Sequence, residues 1–170
     1  KSLGLEFIST PFSRAAVDRL EKFKVNGYKI GSGECNNLPL VDYIANLGKP
    51  IILSTGMNDL KSIKKTVSLI NKRVPIALLH TTNLYPTPPH LVRLGAMEEL
   101  AKEFDKIPFG LSDHTTNSLS SLGAIAMGAT IIERHYTDNK NRKGPDIICS
   151  MDEQEASKLL NDSLVLFSML

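Results

Sequence analysis

The chain has 170 residues, 42% of them apolar, which suits one globular domain and argues against disorder; no apolar run is long enough to cross a bilayer. With 20 basic and 18 acidic residues the net charge of +2 gives no reason to expect nucleic acid or an anionic membrane surface as a partner. Cys35 and Cys149 lie far apart and match no zinc or redox spacing, so a reduced, cytoplasmic protein is expected.

Along the chain, short apolar runs alternate with amphipathic stretches, the pattern of successive βα units. Six strands are expected, at Leu5 to Ser9, Gly27 to Ile30, Pro50 to Leu53, Ile76 to His80, Phe109 to Leu111 and Thr130 to His135. Between them, Asn58 to Asn71 carries Leu60, Ile63, Val67 and Ile70 as one helical stripe behind an Asn cap. Leu94, Met97, Leu100, Ala101 and Phe104 form another stripe, and Asn117 to Ala129 supplies a crossover helix. Ser150-Met151-Asp152-Glu153 has the form of a capping box, followed by Leu159, Leu160, Leu164 and Phe167. No linker, low-complexity tract or charge block divides residues 1 to 170.

Six parallel units can be an open doubly wound sheet or six-eighths of a TIM (β/α)8 barrel. Almost every strand ends in chemically capable groups: Ser9-Thr10, Lys29 with Ser32 and Glu34, Ser54-Thr55, His80 to Asn83, Ser112 to His114, and Glu133 to His135. An open sheet concentrates such groups at a switch point, whereas a barrel gathers all strand C-termini around one mouth, so the even distribution favours the barrel. Six strands would leave unpaired edges. The chain is therefore expected to carry barrel strands 3 to 8, with two further βα units, about 70 residues at typical unit lengths, preceding Lys1.

The strongest chemical signal is a histidine at the end of each of the last two strands. Side chains two apart on a strand share a face, so Ser112 goes with His114 and Glu133 with His135, and the four converge. The alternative for the histidines is a pair of hydrogen-bonded core residues. Two imidazoles with open positions suit a divalent ion that keeps water or substrate in its shell, Mn2+ more naturally than Mg2+, whereas closed zinc would want more protein ligands. His80, late in its strand, is expected to orient neighbouring loops, and His90 to lie in a surface loop; neither joins this ligand set.

Lys29, in Tyr28-Lys29-Ile30, would be inside a barrel strand, where an unpaired charge is costly, so it is expected to meet an anion. With Ser32, Ser54, Asn83 and Ser112 it could hold a phosphate without a glycine-rich loop; the alternative is a structural ion pair with Glu34 or another carboxylate. The serines weigh less individually, since strand-end hydroxyls commonly cap the following helix.

The ordered series Ser9-Thr10-Pro11-Phe12, Tyr28-Lys29-Ile30-Gly31-Ser32-Gly33-Glu34, Asn37-Leu38-Pro39-Leu40, Ile52-Leu53-Ser54-Thr55-Gly56-Met57, Leu79-His80-Thr81-Thr82-Asn83-Leu84-Tyr85-Pro86, Gly110-Leu111-Ser112-Asp113-His114, Glu133-Arg134-His135 and Gly144-Pro145-Asp146 resembles the bacterial N-acetylneuraminate (sialic acid) synthases, a phosphoenolpyruvate-dependent nonulosonate synthase family. The resemblance implies a TIM barrel followed by an antifreeze-protein-like domain outside this chain, a homodimer, and a role in capsule or other surface glycans such as lipopolysaccharide. It implies condensation of phosphoenolpyruvate with N-acetylmannosamine and water to N-acetylneuraminate and phosphate. It aligns Lys29, Ser32, Ser54, Asn83 and Ser112 with phosphoenolpyruvate contacts, adds Thr10, and makes His114 and His135 ligands of Mn2+ or Mg2+. Glu34, Tyr85 and Asp146 match positions near the amino sugar, and Glu133 either orders water or a substrate hydroxyl or supports His135. Relatives that use 2,4-diacetamido sugars for legionaminic or pseudaminic acid share these motifs. A 3-deoxy-sugar-acid synthase, a metal-dependent hydrolase or a non-catalytic binding barrel are the other readings.

Overall fold

The computed structural model describes residues 4–170. The chain divides into two compact units, Lys1–Leu78 and Leu79–Leu170.

In the first unit, helix α1 (Arg14–Lys22) begins where the Ser13 side chain accepts from the Ala16 N–H, and it buries Val17. Strand β1 (Tyr28–Ile30) pairs in parallel with β2 (Ile51–Ser54), in the register Tyr28↔Ile51, Lys29↔Ile52 and Ile30↔Leu53. Between them, helix α2 (Leu38–Ala45) is capped by Asn37 and turns Leu40, Val41, Ile44 and Ala45 inward. Helix α3 (Leu60–Ile70) follows β2 and buries Ile63, Thr66, Val67 and Ile70, leaving Leu60 exposed.

In this unit two elements differ from the expectation. The run Leu5 to Ser9 is not a strand: Leu5, Phe7 and Ile8 are exposed, and only a parallel bridge between Ser9 and Tyr28 survives, with the Lys29 N–H donating to Ser9 O at 3.1 Å. Apolar composition does not make a strand without a ladder and a buried face. The α3 cap is Asp59, which accepts from the Ser62 N–H at 2.7 Å; the Asn58 amide instead donates to the carbonyls of Ser32 and Gly56.

Strand β3 (Ile76–Thr81) contains the division between the units. In the second unit, helix α4 (Leu94–Glu103) precedes strand β4 (Phe109–Asp113), and helix α5 (Leu119–Ala126) leads into strand β5 (Ile131–Arg134). The β4 and β5 strands are parallel, in the register Gly110↔Ile131, Leu111↔Ile132, Ser112↔Glu133 and Asp113↔Arg134. Gly110 is dictated by that approach, because a Cβ there would lie 1.9 Å from Ile131 O. Met97, Leu111, Ala124 and Ala129 form a buried core, with Leu94, Phe109, Met127 and Ile132 packed against it. The described residues therefore form five strands rather than six.

Helix α6 (Glu153–Phe167) is the last element. Its capping box is Asp152 with Glu155, two residues later than the pattern suggested, because the Asp152 carboxylate and the Glu155 N–H lie 2.9 Å apart while Glu155 reaches back to the Asp152 N–H. Leu159 is buried, but Leu160, Leu164 and Phe167 are exposed, so the anticipated stripe only partly faces the core. Among the described residues no helix is long and apolar enough to cross a membrane.

Candidate active site

The first unit gathers polar side chains near Lys29. Its partner across the ladder is Ile52, and Ser54, two residues further on, shares that face of β2. The Lys29 ammonium accordingly donates to Ser54 Oγ at 2.8 Å. Ser32 is buried in the 3-10 turn Ser32–Glu34 after β1, and its carbonyl is held by Asn58 at 2.9 Å. Glu34 accepts from the Asn37 amide at 2.6 Å, so this carboxylate is tied to the cap of α2. Thr10 is half-buried, and its methyl group would lie 3.7 Å from a Cβ on Gly31.

The second unit gathers the imidazoles. His114 and His135 each follow their strand by one residue, and their ring centroids are 5.3 Å apart. The Tyr85 ring sits 4.0 Å from His114 and 5.7 Å from His135. Across the register, Ser112 Oγ donates to Glu133 Oε1 at 2.7 Å, so the expected convergence of these four side chains is present. Asp146 Oδ2 lies 3.8 Å from His135 Nδ1. Asn83 joins this unit with a buried amide oxygen that has no hydrogen-bond partner among the described residues. Such a group costs free energy unless a ligand meets it.

Electrostatics keep the inner imidazole neutral. His114 is 5% exposed, and burial, then the neighbouring His135, hold its pKa below the usual histidine value against the opposing bond to Thr82 O. His114 Nδ1 lies 3.1 Å from that carbonyl, so it carries the proton and Nε2 is left as the lone-pair donor. Burial, then Asp146, raises the pKa of the Tyr85 hydroxyl and keeps it protonated. A divalent ion ~2.1 Å from one nitrogen of each ring places two ring centres roughly 4.5–5.5 Å apart, a span that includes the observed separation. Among the described residues no group of three or more His, Cys, Asp or Glu side chains is arranged to hold a metal; His114 and His135 could supply two nitrogen donors.

His80 Nε2 lies 2.8 Å from Val92 O, tying β3 to the segment before α4 as expected, and His90 is exposed in a 3-10 turn. One cluster escaped the sequence reading. Asp113 and Arg134, alternating with the site residues on the same two strands, form a buried ion pair at 3.1 Å behind them. The signal was present as two opposite charges inside apolar strands at equivalent positions.

The first unit holds Lys29 within β1, and the second holds an imidazole one residue beyond each of β4 and β5, the placement of polar groups toward strand C-termini that a protein built on parallel βα units shows. The NeuB family model matches residues 1–170, and the chain belongs to the NeuB family. It is 44% identical over 163 residues to the N,N'-diacetyllegionaminic acid synthase of Campylobacter jejuni, covering 94% of this chain and 48% of that protein. It is 33% identical to the human N-acetylneuraminate-9-phosphate synthase, covering 94% of this chain and 45% of that protein. The crystal structure of the N-acetylneuraminic acid synthetase of Leptospira borgpetersenii superposes with a TM-score of 0.95 at 31% identity, over 99% of this chain and 59% of that one. The fold class is thus a partial TIM barrel of five parallel βα units. The chain spans about half the length of the curated relatives it matches.

Proposed function

We propose that this protein is a phosphoenolpyruvate-dependent nonulosonate synthase, joining phosphoenolpyruvate to an acetamido sugar with release of phosphate. The observation that carries the proposal is the His114–His135 pair at 5.3 Å, with His114 held neutral and proton-bearing only at Nδ1. When bound there, Mn2+ or Mg2+ supplies Lewis-acid polarisation of the acceptor's open-chain carbonyl. C3 of phosphoenolpyruvate attacks that carbonyl carbon, water adds at C2, and the tetrahedral intermediate loses phosphate by C–O cleavage. Lys29, held by Ser54, meets the phosphate charge as it develops; Ser32, Thr10, Asn83 and Ser112 complete the polar contacts. Glu133, accepting from Ser112, orders the attacking water, and Glu34, Tyr85 and Asp146 address the amino sugar.

The sequence resemblance pointed to N-acetylmannosamine as acceptor. A 2,4-diacetamido sugar is favoured by a specific observation: identity to a diacetyllegionaminic acid synthase is 44%, against 33% to an N-acetylneuraminate-9-phosphate synthase. The test is phosphate release by the full-length protein given phosphoenolpyruvate, Mn2+ and each sugar in parallel. Release with either sugar supports the synthase reading and selects the acceptor. No release with both, from folded protein, removes it in favour of a binding barrel or another barrel enzyme.

A further inference from the structure

The Asp113–Arg134 pair lies on the opposite face of β4 and β5 from the imidazoles, yet it is built more elaborately than a charge-balancing contact requires. The Arg134 and Asp113 side chains are 3% and 0% exposed. Asp113 Oδ2 accepts from Ser120 Oγ and Ser121 Oγ at 2.6 Å each and from Arg134 Nη1 at 3.1 Å, while Oδ1 accepts from the Thr115 N–H at 2.9 Å. The carboxylate is thereby saturated and pinned to the first turn of α5.

Arg134 also uses its two Nη groups on backbone, while its buried Nε has no hydrogen-bond partner among the described residues. Nη1 donates to Asn117 O, and Nη2 donates to Thr115 O at 2.6 Å and Cys149 O at 3.5 Å. Two of those carbonyls belong to the segment immediately after His114. The third belongs to the 3-10 turn Ile147–Cys149, whose start is Asp146, and Asp146 O accepts from the Ser150 hydroxyl at 2.8 Å and the Cys149 N–H at 3.2 Å. Two residues beyond Cys149, Met151 donates its N–H to His135 O at 2.9 Å. One planar guanidinium therefore joins the chain leaving His114 to the turn bearing Asp146, and the segment after that turn is bonded to His135 O through the Met151 N–H. A lysine, a point charge without the fork, could balance Asp113 but could not span these carbonyls.

We infer that Arg134, anchored by Asp113, is a positioning residue that sets the separation and orientation of the His114 and His135 rings and the place of Asp146 beside them. This inference rests on the reading of the two imidazoles as metal ligands. Misplacing such a constellation by about 1 Å costs roughly 100-fold in function, which is the scale at issue.

The test compares the full-length wild-type protein with Arg134→Lys and with the neutral pair Asp113→Asn/Arg134→Gln. Thermal unfolding establishes that each variant is folded. In metal-free protein, the NMR resonances of the His114 and His135 rings are then read; with Co2+ added, affinity and the visible spectrum follow. Positioning predicts shifted ring resonances and Co2+ binding weakened at least about tenfold in folded Arg134→Lys, and no recovery in the neutral pair even where its stability returns. A folded variant with wild-type ring resonances overturns the inference, and if Arg134→Lys does not fold, the neutral pair is read by the same criterion. Wild-type protein that fails to bind Co2+, or binds it equally after His114→Ala, refutes the metal reading instead; the metal-free ring resonances still decide the positioning role.

Discussion

Ser112 and Glu133 face each other across the β4–β5 register and are joined by a 2.7 Å hydrogen bond, which places a hydroxyl and a carboxylate on the face shared with His114 and His135. Glu133 is thus committed to a hydroxyl on the neighbouring strand. Ser112→Ala is expected to remove that bond and lower kcat/KM for phosphoenolpyruvate about tenfold, roughly the worth of one charge-assisted hydrogen bond. Steady-state kinetics check this, and unchanged kcat/KM would remove Ser112 from the substrate contacts.

Lys29 should matter more. Lys29→Ala removes the ammonium that Ser54 holds at 2.8 Å and is expected to reduce kcat/KM by about 100-fold or more, the usual loss when a preorganised group facing developing charge is deleted. Ser54→Ala, which keeps the ammonium but not its partner, should cost about tenfold. Equal losses in the two variants would mean that Lys29 acts structurally.

The buried histidines predict a pH dependence of stability. His114 and His80 both have pKa values depressed in the folded state, chiefly by burial. Below the unfolded-state value of about 6.5 the unfolded chain takes up protons that the folded chain refuses, so stability is full above that pH and falls as pH drops toward the depressed folded values. In metal-free protein, urea midpoints should fall between about pH 7.5 and 5.5, and less so in His114→Gln. A steeper fall in the variant would contradict the assignment.

Gly110 allows no side chain. Gly110→Ala drives a Cβ into Ile131 O and is expected to destabilise the protein by about 3 kcal/mol or more, through separation of β4 from β5. A methyl group at Gly95, in the first turn of α4, would meet no atom within 4 Å, and Gly95→Ala should be neutral or stabilising by up to about 1 kcal/mol. Chemical denaturation of both variants gives the comparison.

The two thiols are buried and unpaired by disulfide. Burial pushes Cys35 up to about 11, and burial also raises Cys149, so neither is a thiolate at neutral pH. Ellman's reagent at about pH 7.5 should label neither thiol in folded protein and both in urea. Rapid labelling under native conditions would show that one of these sites opens.

The βα repeat, the family and the pairing of site residues were all legible in the order of residues, for a physical reason: alternation on a strand has period two, so Ser112 with His114 and Glu133 with His135 share a face whatever surrounds them. That Lys29 would need a polar partner was legible too, because a charge inside an apolar strand must find one, and Ser54 Oγ meets it at 2.8 Å. Other features depended on the folded chain. Asp59 rather than Asn58 caps α3 because Asn58 is drawn to Ser32 O and Gly56 O. Leu5 to Ser9 stays a single bridge, and Leu160, Leu164 and Phe167 stay exposed, because burial depends on what packs against a pattern and not on the pattern. The Asp113–Arg134 clamp joins residues 21 positions apart in sequence, and only the parallel register of β4 and β5 brings the two charges together out of water.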